Sequence, residues 1–274
     1  MSSHRVTSYV GVALVSMLGC LEAPQVGILG APPRPSSAAH VHFDTTMELP
    51  SDAETVEPSQ PFVASPQERL LAHVHTPTGV CSGVVVGSHL IATAHQCIQA
   101  ARGIAPVTGQ YHIEIPSSSL TWAQRTPTTV VTADCGWEVL DLAVFVVAEP
   151  IDWVKAAPLG TVPGPGAKVQ AFGFGHCEGE RHGIRDKAAG IVTVDSQAFV
   201  IDVGLCKGDV GGFVADAGGS FLGIISHQDD PDDSPRHTTT IFRADTTAAR
   251  DLLAQAEAVA DGADASKLKP ISCQ

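Results

Sequence analysis

Apolar residues in this chain fall in short runs broken every few positions by glycine, proline or a charged residue, a pattern of strands and turns. The runs predict strands at 69–74 and 79–86 and a turn at Gly87, Ser88 and His89, and another run follows at 90–98. Another apolar segment lies within 134–147, and a second group of strands begins at 168–175 after the turn-rich 157–166. Residues 190–194 and 198–203 alternate as a hairpin. A helical period is clear only near the C-terminus. There Ala249, Leu252, Leu253, Ala256 and Val259 share one face of a helix over 246–260, with Asp245 as its cap and Gly262 as its end. The expectation is an all-β domain over 67–260 with a closing helix, followed by a tail at 261–274.

The segment before this domain has another character. Residues 21–66 are rich in proline, alanine, serine and acidic side chains, which cannot bury a core. They read as a tether of about 45 residues, able to reach on the order of 35–40 Å as a coil. Residues 1–20 hold Arg5 and an apolar run over 9–18, too short to span a bilayer comfortably, and read as a secretory signal. Gly19 directly before Cys20 resembles a bacterial lipobox, in which Cys20 would be acylated, although Met17 fits that pattern imperfectly. An ordinary cleaved signal is the other reading. Either way the chain is expected to be exported, to the cell envelope if anchored and otherwise secreted.

Composition narrows the function. Apolar residues make up 44% of the chain, enough for a substantial core, and only 5% is aromatic. The formal net charge is −13 with no Lys/Arg cluster to offset it, which excludes nucleic-acid partners and leaves a lipid anchor as the only membrane contact. Seven cysteines are odd for an exported protein, but six remain once Cys20 is set aside. No cysteine spacing resembles a zinc site. His40 with His42, and His73 with His75, would each share one face of an extended segment. Neither pair has a carboxylate or third histidine at a fixed offset, so no metal is expected. Gly173-Phe174-Gly175 lacks the third glycine and following helix of a dinucleotide site, and no cofactor is expected. Asp229, Asp230, Asp232 and Asp233 lack the glycine and terminal glutamate of a calcium loop and read as solvated charge.

Candidate chemistry comes from one stretch, Leu205-Cys206-Lys207-Gly208-Asp209-Val210-Gly211-Gly212-Phe213, followed by an apolar segment ending in Ser226. A Cys and then Gly-Asp-X-Gly-Gly resembles the nucleophile loop of trypsin-like (chymotrypsin-fold, peptidase family S1) serine proteases. In that family X is serine; here it is Val210, which has no hydroxyl to attack with. Thr93-Ala94-His95-Gln96-Cys97 resembles the family's Thr-Ala-x-His-Cys, with Gln96 at the general-base position, and a neutral amide cannot take the nucleophile's proton. His95 as a base shifted by one residue is the alternative. Asp141-Leu142-Ala143-Val144 resembles the segment of the triad acid, so Asp141 is retained.

The resemblance implies two six-stranded antiparallel barrels with a cleft between them. It places Gly208 and Val210 at the oxyanion hole, Gly204 and Ser226 at the specificity pocket, and a disulfide between Cys81 and Cys97. Gly204 puts no charge on the pocket floor. The remaining pairs stay open, with Cys177 to Cys206 and Cys135 to Cys273 as one choice. No Ile-Val-Gly-Gly tetrad precedes Cys81, so Asp209 must find a partner other than a cleaved amino terminus, or its loop must keep a zymogen-like form. The functional expectation is a pseudoprotease: a non-catalytic homologue that binds an unknown polypeptide or serves as a scaffold. An active endopeptidase using His95 and a displaced hydroxyl such as Ser226 is the alternative.

Overall fold

The computed structural model describes residues 65–98, 102–107, 110–117, 121–135, 139–175, 184–206, 208–226 and 238–271, all within the unit Val56–Gln274. The expectations for 1–20, for nearly all of 21–66, and for Cys20, Cys177, Cys273 and the acidic residues 229–233 lie outside them.

Eight strands form the first sheet: β1 (Leu71–Thr76), β2 (Gly79–Gly87), β3 (Leu90–Thr93), β4 (Ile104–Pro106), β5 (His112–Pro116), β6 (Trp122–Arg125), β7 (Pro127–Thr132) and β8 (Ala143–Val147). Their order is β4-β7-β8-β3-β2-β1-β5-β6. Six later strands, β9 (Lys168–Gly173), β10 (Arg185–Val194), β11 (Ala198–Ile201), β12 (Phe213–Ala215), β13 (Phe221–Ile225) and β14 (Thr239–Arg243), close into a barrel in the order β10-β11-β14-β13-β12-β9. The helix α1 (Thr247–Ala260) follows. The expected all-β, two-barrel class with a C-terminal helix therefore holds. Among the described residues the first half is a sheet of eight strands curled into a half-barrel, in place of a closed barrel of six. Register shifts between Val85 and Gly87 and between Pro127 and Thr129 mark where it bends.

Several boundaries differ from the sequence pattern for identifiable reasons. The first strand begins at Leu71, because Glu68–Leu70 makes a short 3-10 turn. Ser65 and Glu68 cap it reciprocally, the Glu68 N–H donating to Ser65 Oγ and the Ser65 N–H to Glu68 Oε2. The run at 90–98 is a strand only to Thr93 and then turns into a 3-10 helix, His95–Ile98. Among the described residues of 134–147, only the last five are strand. The cap of α1 is Thr246, whose hydroxyl accepts from the Ala249 N–H at 3.2 Å. Asp245 is engaged elsewhere: Arg243 donates to both its oxygens at 2.8 and 3.0 Å, and the Val162 N–H donates to it at 3.1 Å. Strands β4 to β7 had no counterpart in the reading of the chain, being short and interrupted by polar residues and proline.

The core packs both sheet halves and the helix. Every residue of β8 is buried, and α1 lays Ala249, Leu252 and Ala256 against the same core, each fully buried. Burying a leucine such as Leu252 contributes about 2 kcal/mol. In the barrel, Phe172 of β9 stacks on Phe213 of β12 with ring centroids 4.8 Å apart, directly beneath the loop that carries Val210.

Candidate functional site

The 3-10 helix after β3 sets the aim of the first site residue. With three residues per turn it directs His95, Cys97 and Ile98 inward and leaves Gln96 half-buried. The disulfide between Cys81 of β2 and Cys97 holds this turn against the sheet, as the resemblance implies. Asp141, just before β8, is fixed by its neighbours, since Leu140 and Leu142 are both buried and the carboxyl itself is 1% exposed. Ser226 directly follows β13, and its N–H donates to the Thr240 carbonyl of β14 at 3.1 Å.

These three residues converge. Gln96 donates to Asp141 twice, from its backbone N–H to Oδ1 at 2.9 Å and from Nε2 to Oδ2 at 2.7 Å. The second Nε2 proton goes to the Ser226 carbonyl at 2.6 Å, and the Ser226 hydroxyl donates to Asp141 Oδ2 at 2.5 Å. Burial pushes the Asp141 carboxyl above the ordinary carboxylate range, and the hydrogen bonds from Ser226 and Gln96 offset that rise only in part. Both amide protons of Gln96 are thus committed, leaving its carbonyl oxygen as a weak acceptor. His95 is 3% exposed, and it acts electrostatically on the Asp141 carboxyl. Ser226 spends its hydroxyl proton on Asp141.

The Val210 loop is built with care although it carries no nucleophile. The Val210 carbonyl accepts from the Ser82 N–H at 2.8 Å, and the Ser82 hydroxyl donates to the Gly208 carbonyl at 2.8 Å. The Phe174 N–H donates to that same hydroxyl at 2.8 Å, while Gly211 donates to Ile225 O at 2.8 Å. A side chain at Gly211 would lie 2.2 Å from the Ser82 carbonyl, and its φ of +84° is itself in the left-handed region, so glycine is required there. Asp209 is fully buried and receives backbone N–H groups from Gly175 at 2.5 Å and Cys206 at 2.7 Å. Among the described residues, those two backbone donors are partners of the Asp209 carboxylate.

Ser82 escaped sequence reasoning. The run Cys81-Ser82-Gly83 resembles the family's Cys-Gly-Gly, and the serine in place of its first glycine was the available signal. At the proposed pocket floor, the Gly204 carbonyl accepts from Lys187 Nζ at 3.1 Å, so a cation reaches a position that Gly204 itself leaves neutral. Lys187 had no motif to announce it. Cys135 and Cys206 are each disulfide-bonded, with partners outside the described residues.

A sequence model of the trypsin-like peptidase domain matches residues 81–224, more than half of the chain. The chain belongs to the trypsin-like peptidase family. Among solved structures, this trypsin-like domain is similar to the scabies mite inactivated protease paralogues S-D1 and S-I1. The first has a TM-score of 0.57 at 14% identity, covering 75% of this chain and 96% of that one. The second has a TM-score of 0.53 at 16% identity, covering 65% and 90%. A Glu endopeptidase matches as well, with a TM-score of 0.58 at 15% identity over 72% of this chain and 95% of that one. At such identities these likenesses show the fold. No curated protein sequence matches the chain.

Proposed function

We propose that this chain is a pseudoprotease whose cleft holds a polypeptide without cleaving it. One observation carries the reading: the side chain facing Asp141 is the neutral amide of Gln96, with both of its protons already donated, and Val210 stands where the family has its nucleophile. The surrounding loop is kept in order by Ser82, so the cleft retains a shape without the groups that would make it react. The inactivated paralogues among the similar structures are compatible with this reading.

The chain is also exported and lipid-anchored in this proposal. Its support is the apolar run over 9–18 ahead of Cys20. The bonded state of Cys81, Cys97, Cys135 and Cys206 adds to it, because disulfides persist in oxidising compartments.

The test is reaction with a serine-directed fluorophosphonate together with turnover on a broad peptide library. Wild type and Val210→Ser are expected to be unreactive, since Gln96 cannot accept the serine proton. Val210→Ser combined with Gln96→His restores the hydroxyl and an imidazole facing Asp141, and is expected to be labelled. Turnover by wild type that His95→Ala abolishes would replace this reading with the shifted-base enzyme. For the binding half of the proposal, a polypeptide retained by the wild-type chain should be lost on Val210→Trp, which fills the cleft. Retention unchanged by that substitution places the partner elsewhere.

A further inference from the structure

Strand pairing assembles a cluster that no local motif contains. β1 and β5 run antiparallel with His73 opposite Glu114, Val74 opposite Ile113 and His75 opposite His112. Alternation sends Val74 and Ile113 into the core, both fully buried, and puts His73, His75, His112 and Glu114 together on the other face. Glu114 sits at the centre of the four. Its Oε2 lies 3.4 Å from His73 Nδ1 and 3.3 Å from His75 Nε2, and its Oε1 lies 3.6 Å from His112 Nε2. The donor atoms of His73, His75 and Glu114 all fall within 4.8 Å of one another.

The two rings sit at the long end of hydrogen-bonding distance from Glu114, a spacing that also suits ligands around a metal. Imidazolium rings bonded directly to a carboxylate would draw nitrogen and oxygen to about 2.7–2.9 Å. Four ligands around a tetrahedral zinc ion, with bonds of about 2.0–2.1 Å, stand about 3.3–3.4 Å apart along each edge of the tetrahedron. The two Oε2 distances match the second spacing. The rings of His73 and His75 are also only 4.3 Å apart between centroids, so both imidazoles flank the same point beside Glu114. Phe174 at 4.9 Å from the His73 ring supplies an apolar wall, while the side chains of His75 and His112 remain 39% and 41% exposed, leaving an entry path.

We infer that His73, His75 and Glu114 bind one divalent cation of the zinc class, with the fourth corner of the site facing His112. Two or three imidazoles beside a single carboxylate suit Zn2+, and Co2+ or Ni2+ after it, whereas Ca2+ and Mg2+ require a shell of oxygens. The bound ion ties β1 to β5. It lies on the sheet face shared with Ser82, the β2 partner of His73, whose hydroxyl holds the Gly208 carbonyl. The site is independent of whether the cleft binds a polypeptide.

The experiment uses the full chain, without a histidine tag and stripped with a chelator, titrated with Zn2+ by calorimetry and followed by thermal unfolding. One equivalent is expected to bind and to raise Tm, with Mg2+ doing neither. His75→Ala and Glu114→Gln should each weaken binding by about tenfold or more. A His40→Ala, His42→Ala double variant, which removes the other histidine pair, should bind as wild type does. Co2+ gives a readout on the unaltered protein: strong visible absorption of tetrahedral nitrogen and oxygen ligation is expected. Failure of wild type to bind Zn2+, undiminished binding by both single variants, or the weak spectrum of an octahedral cobalt ion would each overturn the inference.

Discussion

Replacing Gln96 by leucine isolates the contact on which the reading of the cleft depends. The substitution keeps the size and half-buried position of the side chain but deletes two hydrogen bonds. Asp141 Oδ2 loses the donor at 2.7 Å and retains only the Ser226 hydroxyl, while the Ser226 carbonyl loses its donor at 2.6 Å. The Gln96 backbone N–H still reaches Oδ1 at 2.9 Å, so one anchor of the carboxyl survives. Leaving a buried acceptor without its partner costs about 1–3 kcal/mol, and access of water to the half-exposed position keeps the sum for the two at roughly 2–4 kcal/mol. Urea unfolding measures it directly as a lower midpoint at unchanged slope.

The pH dependence adds a second check. Burial raises the Asp141 carboxyl above its unfolded value of 3.8, so this group's contribution is fully present below that value and is lost as pH rises through the folded one. Removing a hydrogen bond that lowers this pKa raises it further. The deficit of Gln96→Leu should therefore grow from acid towards neutral pH and shrink in acid to the part owed to the Ser226 carbonyl. A variant within about 0.5 kcal/mol of wild type, with no pH dependence in the difference, would refute the placement of Gln96 against Asp141.

Asp245→Ala should cost roughly 2 kcal/mol by leaving Arg243 and the Val162 N–H without their acceptor. Burial works to raise the Asp245 carboxyl, but Arg243 and Val162 hold it below its unfolded value of 3.8; the contribution is present above that value and lost as pH falls, so the difference from wild type should fade in acid unfolding experiments. Replacing both Cys81 and Cys97 by serine opens a loop of sequence separation 16 and should cost about 3 kcal/mol, read as a lower urea midpoint; equal midpoints would contradict it. Cys20→Ala should move the protein from the detergent phase to the aqueous phase in phase partitioning, and wild-type protein found in the aqueous phase would end the lipid-anchor proposal.

Much of the fold was legible because its signals are local. Short apolar runs bounded by glycine and proline announce strands wherever they are written, and the helical period of Ala249, Leu252 and Ala256 announces α1. The Gly-Asp-X-Gly-Gly run and the Thr-Ala-His-Gln-Cys run keep their order and spacing, so Val210 and Gln96 could be matched to the family before any coordinates. Strands β4 to β7 were not legible in the same way. They are held by pairing with neighbours, and their own residues, Trp122-Ala123-Gln124-Arg125 among them, carry little apolar pattern.

The choice between Gln96 and His95 could be weighed in the sequence, but it is a matter of which way one turn of 3-10 helix faces. That orientation comes from the Cys81 bond and from an Asp141 lying 45 residues away. Thr246 displaced Asp245 as the helix cap because Arg243 and Val162 claim the aspartate, the latter from 83 positions upstream. His73 and His75 were visible as a pair, yet their carboxylate arrives from β5 at separations of 41 and 39 residues through the register of two antiparallel strands. Periodicity and turn chemistry depend on neighbours along the chain and can be read there. A site assembled from residues distant in sequence depends on strand register and packing, which arise only when the sheets form.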